Sequence, residues 1–355
     1  MTAPDTRPVA AFLDERHHAF AAGVGEWADR ELRGRPEPGD DAAARREARE
    51  ILAALGAAGW LEPIARGDWR SCCLAREALA AASPLADAVF ALQGLGTVPI
   101  LLAGDEVSKA RWAAPAIAGS AMAAFAMTEA NAGIADFYTV FASTDPAAGG
   151  RGISAFVVPA DAKGLRFVRP FVLSSPHPLG EIAFEGCRVP ASHRLGEEGR
   201  GFALGLKTLD RLRATVGAAA CGMAARALAE ALAHAKARRQ FGKPLAEFQL
   251  VQEKLARMAT DLAAARLLVY HAAHRADSGA PRVTLEAAMA KSFATEAAQR
   301  IVDDAVQVLG GAGVLASHPV DRLYRSVRAL RIYEGTTEIQ HLVIAGQLLA
   351  PEAGA

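Results

Sequence analysis

MAKSFATEAAQRIVDDAVQV, residues 289–308, carries Met289, Phe293, Ala297, Ile301, Ala305 and Val308 at intervals of three or four. On an α-helix these positions fall on one face, which is the mark of a helix that buries a stripe against partners. The spacing predicts a helix over 284–309, and stretches of the same character predict others near 202–236, 245–278 and 335–349. Long antiparallel helices joined by short turns make a four-helix bundle. Upstream the texture changes. DFYTVFAST, GISAFVVP, LRFVRPFVL and EIAFEGCRVP, between Phe125 and Pro190, are short β-branched or aromatic runs broken by Gly, Pro and Asp, and they read as strands. Between Ala42 and Met122, Ala, Leu, Arg and Glu return at helical spacing, as at Ile51, Leu52, Leu55 and Trp60. The expected protein is mostly α with a small β domain: a helical domain at 1–123, a shortened β-sheet or barrel domain at 124–199, and the bundle at 200–355.

The 355 residues exceed one ordinary core, since single cores stop growing at roughly 250–300 residues. Lys plus Arg equals Asp plus Glu at 39 each, so no net field draws nucleic acid or an anionic membrane, and any anion site must be local. Cys72, Cys73, Cys187 and Cys221 are scattered through apolar text, a setting for reduced, buried thiols rather than a zinc knuckle or a disulfide frame. The N-terminal text MTAPDTRPVAAFLDERHHAF holds acids where a signal or transit peptide would lack them, and no apolar run is expected to span a membrane. A cytoplasmic protein is expected. His271 and His274 lie three apart on a helix with no acidic companion in a ligand pattern, which favours a packed or solvated face over a metal site. His177, in SSPHPLG, either touches a ligand or caps a turn. The final PEAGA is expected to fray.

Three segments could carry chemistry. RRQFGKPLAEFQ (238–249) breaks a helix at Gly242 and Pro244 and sets Arg238 and Gln249 on either side of the turn; a guanidinium and an amide there suit a phosphate, and a plain helix hairpin reads equally well. QVLGGAGV (307–314) ends a helix with three glycines, more than a C-cap needs, and glycine lets backbone come close to a ligand. IYEGTTEIQ (332–340) places Glu334 before Gly335 and two threonines at the start of a helix, where Glu334 and Thr336 could also be capping groups.

Taken together and in this order, the three segments resemble the acyl-CoA dehydrogenase family, and the resemblance runs from about Ile51 to Leu349. AFAMTEANAG (124–133) is similar to the family's flavin-facing T-E-x-x-x-G segment, GEEGRGFALGLKTLDRLR (196–213) to its G-x-G-F…L-D-x-x-R helix, and FEGCRVP (184–190) to a strand end. The resemblance implies FAD-dependent α,β-dehydrogenation of an acyl thioester such as acyl-CoA. Glu334 matches the base that takes the α-proton while the β-hydrogen leaves as hydride to flavin N5. A carboxylate in an apolar pocket is a stronger base than one in water, and the base's own N–H is a donor for charge developing on the thioester oxygen. By the same match Thr128, Arg238, Gln240, Phe241, Gln249, Gln307, Gly311, Thr336 and Glu338 contact FAD, several of them the flavin of a neighbouring subunit. A dimer or tetramer of identical chains follows from that sharing. Asp210 and Arg213 match residues along the pantetheine and thioester, and Tyr333 and Gly335 the acyl slot. An electron-transfer flavoprotein or similar acceptor is the implied partner. Some members carry the base on the helix of Arg213, and Leu212 closes that alternative here.

The sequence also departs from the family. Gly133 runs directly into Ile134-Ala135-Asp136, where two or three strands and a Trp-bearing segment against the flavin ring are expected. Ser326 stands where many members have Asp, and IARGDWRSCC replaces a segment that shapes the substrate entrance. These departures keep two alternatives open: a flavin-poor or non-catalytic subunit that completes the FAD site of a hetero-oligomer, and a dehydrogenase acting on a carrier-protein thioester.

Overall fold

The computed structural model describes residues 2–127, 133–175 and 177–350. In chain order the helices are α1 (Glu15–Glu31), α2 (Asp41–Ala57), α3 (Glu62–Arg66), α4 (Trp69–Ala82), α5 (Pro84–Ala103), α6 (Glu106–Ser108), α7 (Ala114–Ile117), α8 (Gly201–Ala237), α9 (Gln249–Asp277), α10 (Thr284–Leu309), α11 (Pro319–Leu330) and α12 (Thr337–Leu348). The strands are β1 (Ala123–Ala126), β2 (Phe137–Ser143), β3 (Ile153–Pro159), β4 (Leu165–Pro170), β5 (Gly180–Phe184), β6 (Arg194–Leu195), β7 (Arg239–Gln240) and β8 (Lys243–Pro244). The protein is mostly helical with a small sheet region, as expected. Its residues gather into two compact units, one of Met1–Glu37, Trp69–Pro84 and Arg213–Ala355, the other of Pro38–Asp68 and Leu85–Leu212.

In the first unit α10 is the centre, touching α9, α11 and α12. This explains why the single stripe understated its burial. Ala297, Ile301, Ala305 and Val308 are buried, but so are Ala287, Ala290, Lys291, Ala294 and Ala298, while Met289 and Phe293 are half-buried. Small residues let helices close up: a Cβ on Gly217 of α8 would stand 2.7 Å from Val269 Cγ2 and 3.2 Å from the Ala290 carbonyl oxygen. One element is additional to the expected bundle. α11 follows the Pro319 start with Val320, Leu323, Val327 and Leu330 buried, a helical spacing that the short segment's many arginines obscured. Ser326 lies on it, its hydroxyl donating to the Arg322 carbonyl at 2.8 Å.

Against α4 the same unit buries charge. Arg266 Nε donates to Glu77 Oε1 at 2.8 Å and the Tyr270 hydroxyl to Oε2 at 2.9 Å, with Glu77 2% and Arg266 8% exposed. Gly222 is held under the same turn, since a Cβ there would lie 2.1 Å from the Glu77 carbonyl oxygen.

In the second unit β2 to β5 come from the runs expected to form strands, and β1 and β6 are additional. The four-stranded sheet has the order β1-β2-β3-β6, with β1 parallel to β2 and the other pairs antiparallel. β4 and β5 form a separate antiparallel pair. Gln93 of α5 ties the sheet's first strand down. Its Nε2 donates to the Ala116 and Ala121 carbonyls at 2.9 and 2.6 Å, and its Oε1 accepts from Ala123 N at 2.8 Å. Gly96 lets the strand approach, because a Cβ there would stand 2.7 Å from Ala123 Cβ.

Two expectations are corrected. α5 and α8 are, by length and composition, apolar enough to cross a membrane. The α5 window, whose first turn holds the acid Asp87, is 83% buried inside the protein, and the α8 window 61%. These helices are apolar because they are core. None of the four cysteines is in a disulfide, but Cys187 is half-buried rather than buried, since it follows the exposed turn after β5. The tail at 351–355 lies outside the described residues.

Truncating Glu77 to Ala would leave the Arg266 guanidinium buried without its carboxylate. Loss of one partner of a buried pair costs about 3–5 kcal/mol. A Glu77→Ala variant is therefore expected to lose stability of that size in urea unfolding, and a change below about 1 kcal/mol would contradict the role given to the pair.

Candidate active site

Between α11 and α12 the chain makes a tight loop, and Glu334 takes φ 55 within it, followed by Gly335 at φ 92. Left-handed backbone is ordinary for glycine but costs a glutamate roughly 1–3 kcal/mol. Several buried groups hold it there. Gln340, fully buried, donates through Nε2 to the carbonyls of Glu334 and Gly335 at 3.2 and 3.0 Å. Lys291, also fully buried, donates through Nζ to the Gly335 carbonyl at 2.6 Å. The Thr337 hydroxyl and Arg331 Nε both donate to Glu296 Oε1 at 2.7 Å, closing the loop at its two ends. Gly335 also leaves room for the amide that holds the turn, for a Cβ there would stand 2.6 Å from Gln340 Nε2. Thr336 is the N-cap of α12, its hydroxyl accepting from Ile339 N, so the capping role weighed for this segment belongs to Thr336.

Sequence reasoning missed Lys291, Glu296 and Gln340. The signal was a lysine on the very stretch that decides the fold, in a row of alanines that the packing buries. Burial pushes the Lys291 ammonium down from 10.5 to about 8; the Glu334 carboxylate opposes that, Arg213 adds to it, and Glu296 and Glu338 oppose it. Burial pushes Glu296 up, but the Thr337 hydroxyl and the Arg331 guanidinium outweigh it and hold its carboxyl below the usual range. Glu338 is exposed, and its own backbone N–H, then the Thr336 hydroxyl, lower its pKa. Arg213 is 5% exposed, so it stands as a buried cation acting on the same lysine as Glu334. Asp210, one turn earlier on α8, and Tyr333 are half-buried, and Leu212 is buried.

The other expected binding residues collect at chain turns. Arg238 follows α8, and the two-residue pair β7–β8 turns at Phe241 (φ 50) and Gly242 (φ 84). Arg238, Gln240 and Phe241 are all exposed, Phe241 at 92%. Gln249 opens α9. Gln307 is exposed near the end of α10, and beyond Gly310 a Cβ at Gly311 would meet nothing within 4 Å. His234 links the two turns electrostatically. Burial, then Arg238, then His318, the N-cap of α11, lower its pKa, so the end of α8 and the segment after the glycines lie at one end of the bundle. Thr128 lies outside the described residues. His271 and His274 both flank the Phe12 ring, with centroids at 5.8 and 5.9 Å, His271 exposed and His274 half-buried. His177 is half-buried, its Nδ1 3.1 Å from the Ser175 carbonyl oxygen.

Comparison with known proteins is concordant over most of the chain. Residues 14–120 match the N-terminal domain of acyl-CoA dehydrogenases and residues 199–349 their C-terminal domain. The probable acyl-CoA dehydrogenase fadE25 of Mycobacterium leprae (strain TN) is 35% identical, over 95% of this chain and 96% of its own. That alignment takes 376 positions, more than the chain's 355 residues, so the relative carries positions that this chain lacks. The Caffeyl-CoA reductase-Etf complex subunit CarC of Acetobacterium woodii is 36% identical over 80% of this chain and 83% of its own. Among solved structures, butyryl-CoA dehydrogenase from Megasphaera elsdenii superposes with a TM-score of 0.86 at 32% identity, covering 95% of this chain and 99% of that one.

The lowered pKa of Lys291 makes a pH prediction. Below about pH 8 the lysine is protonated in both the folded and the unfolded chain, and between about 8 and 10.5 only the unfolded chain keeps the proton. The unfolded state then binds more protons, so stability from this group rises with pH across that window. In urea unfolding at pH 7, 9 and 10 the wild type is expected to gain on Lys291→Met as pH rises, and a constant difference between the two would refute the shift.

Proposed function

The chain belongs to the acyl-CoA dehydrogenase family of oxidoreductases, and on that premise we propose that it oxidises an acyl thioester at its α and β carbons with Glu334 as the base. The observation that carries the reading is the loop itself. A strained glutamate backbone, fixed by two fully buried donors, belongs to a residue whose position matters to function. The residues available for FAD fit such a group. An exposed aromatic ring, a guanidinium and amides at one end of the bundle, beside a glycine with open space around it, offer what a diphosphate and an adenine need. Arg238, Gln240, Phe241, Gln249, Gln307 and Gly311 would hold it, with Thr336 and Glu338 beside the base. By the family resemblance the flavin that the first group meets would belong to a neighbouring copy, and a dimer or tetramer is part of this reading. When bound, FAD supplies the acceptor for the β-hydride.

The chain's own residues do the rest. Glu334 takes the α-proton onto its carboxylate. Its backbone N–H, oriented by the left-handed turn, is available to the thioester oxygen as charge develops there. Arg213 and Asp210 lie along the thioester and pantetheine, and Tyr333 and Gly335 shape the acyl slot. Acyl-CoA is the substrate and an electron-transfer flavoprotein the acceptor in this reading, as the name of the Acetobacterium relative supports. The four free thiols accord with a cytoplasmic setting.

The positions that this chain lacks relative to its Mycobacterium leprae relative favour a second reading, a flavin-poor subunit that completes a partner's FAD site. Purified protein is expected to be yellow and to bleach on addition of butyryl-CoA or another acyl-CoA. A colourless protein that stays colourless with added FAD would support the second reading instead. Glu334→Gln is expected to retain flavin and lose bleaching by at least a thousandfold, because an amide cannot accept the α-proton; undiminished bleaching would overturn the assignment.

A further inference from the structure

Lys291 has no role in the chemistry so far, yet it is the one lysine among the described residues whose side chain is fully buried. A methionine of similar length would fill the same space in a row of alanines without an ammonium to desolvate. Retention of a charge at such a position calls for a use, and its hydrogen bond names one. Nζ points at the Gly335 carbonyl, 2.6 Å away, on the residue next to Glu334. The peptide after Glu334 is also gripped by Gln340, so two side chains from two helices, α10 and α12, converge on consecutive carbonyls of one strained turn.

We infer that Lys291 is a positioning residue, whose ammonium clamps the Gly335 carbonyl and so locks the left-handed backbone that aims the Glu334 carboxylate and its N–H. This deepens the proposed reading and rests on Glu334 being the base. The clamp works by geometry. Both the carboxylate's aim and the N–H direction hang on the φ of a residue that would leave the left-handed region if released. Misplacement of a reacting group by about 1 Å can cost on the order of a hundredfold in rate. The charges facing the ammonium come from the loop and three helices: Glu334 from the loop, Glu338 from α12, Arg213 from α8, and Glu296 from its own helix. Its loss therefore changes the loop's charge as well as its hold. The acyl slot itself gains and loses no side chain.

A structural lysine and a positioning lysine give different results in Lys291→Met. The positioning role predicts that this variant, full-length and FAD-loaded, unfolds in urea at pH 7 no earlier than wild type. Its kcat for butyryl-CoA is expected to fall about ten- to a hundredfold with KM within threefold, and amide hydrogen exchange to quicken in peptides covering 331–340 and not elsewhere. Lys291→Arg, which keeps a cationic donor, is expected to recover part of both the exchange protection and kcat. A Lys291→Met variant with wild-type kcat and exchange overturns the proposal, and so does a loss of kcat accompanied by earlier unfolding and faster exchange throughout the bundle. Exchange needs no turnover, so the two readings fail separately. Faster exchange confined to 331–340 supports the clamp even if Glu334→Gln shows that the base lies elsewhere, whereas unchanged exchange overturns it whatever the activity.

Discussion

Backbone strain at Glu334 persists because the surrounding helices over-determine it. A left-handed glutamate relaxes unless its flanking carbonyls and its turn are held from outside, and here the holding groups are Lys291, Gln340, Thr337 and Arg331 with Glu296. Each sits where a helix delivers it. Lys291 and Glu296 ride on α10 and Gln340 on the first turns of α12, so the loop's shape is inherited from the registry of the two helices. Stability invested in the bundle is in this way converted into the placement of one carboxylate.

That registry depends on close packing of small residues. Alanines along α10 and glycines at 217 and 222 let backbones approach to distances that a single added carbon would violate. Where the helices meet polar groups, those groups are paired in the interior, as Glu77 is with Arg266 and Tyr270. The interior therefore carries two kinds of buried charge. The pair around Glu77 satisfies itself within the core and fixes how α4 meets α9, while Lys291 spends its hydrogen bond on a loop that the core does not otherwise need.

At the other end of the bundle the logic is reversed. Arg238, Gln240, Phe241 and Gln307 are exposed, and Phe241 holds positive φ with its ring 92% open. The Phe241 ring meets the Phe248 ring edge-on at 6.2 Å, and most of its surface stays exposed. The Glu334 loop is held from the interior and the Phe241 turn faces outward, an arrangement that fits the proposed site shared between copies.

Much of this was legible in the chain's text. Periodicity placed α8, α9, α10 and α12 within a few residues, except that α9 starts at Gln249 after a short turn, and the four β-branched runs became β2 to β5. The motifs around Arg238, Gly311 and Glu334 led to the family because spacing along a chain survives in sequence. What sequence could not show is which residues meet across space. Lys291 reads as an ordinary polar break in an apolar helix until the fold buries it beside the Glu334 loop, and Gln340 as an ordinary helix residue until its amide turns back on the loop. Helix formation is a local property of spacing and propensity, so the sequence declares it. The aim of a side chain and the burial of a charge are set by neighbours far away in the chain, so they arise only when the fold is complete.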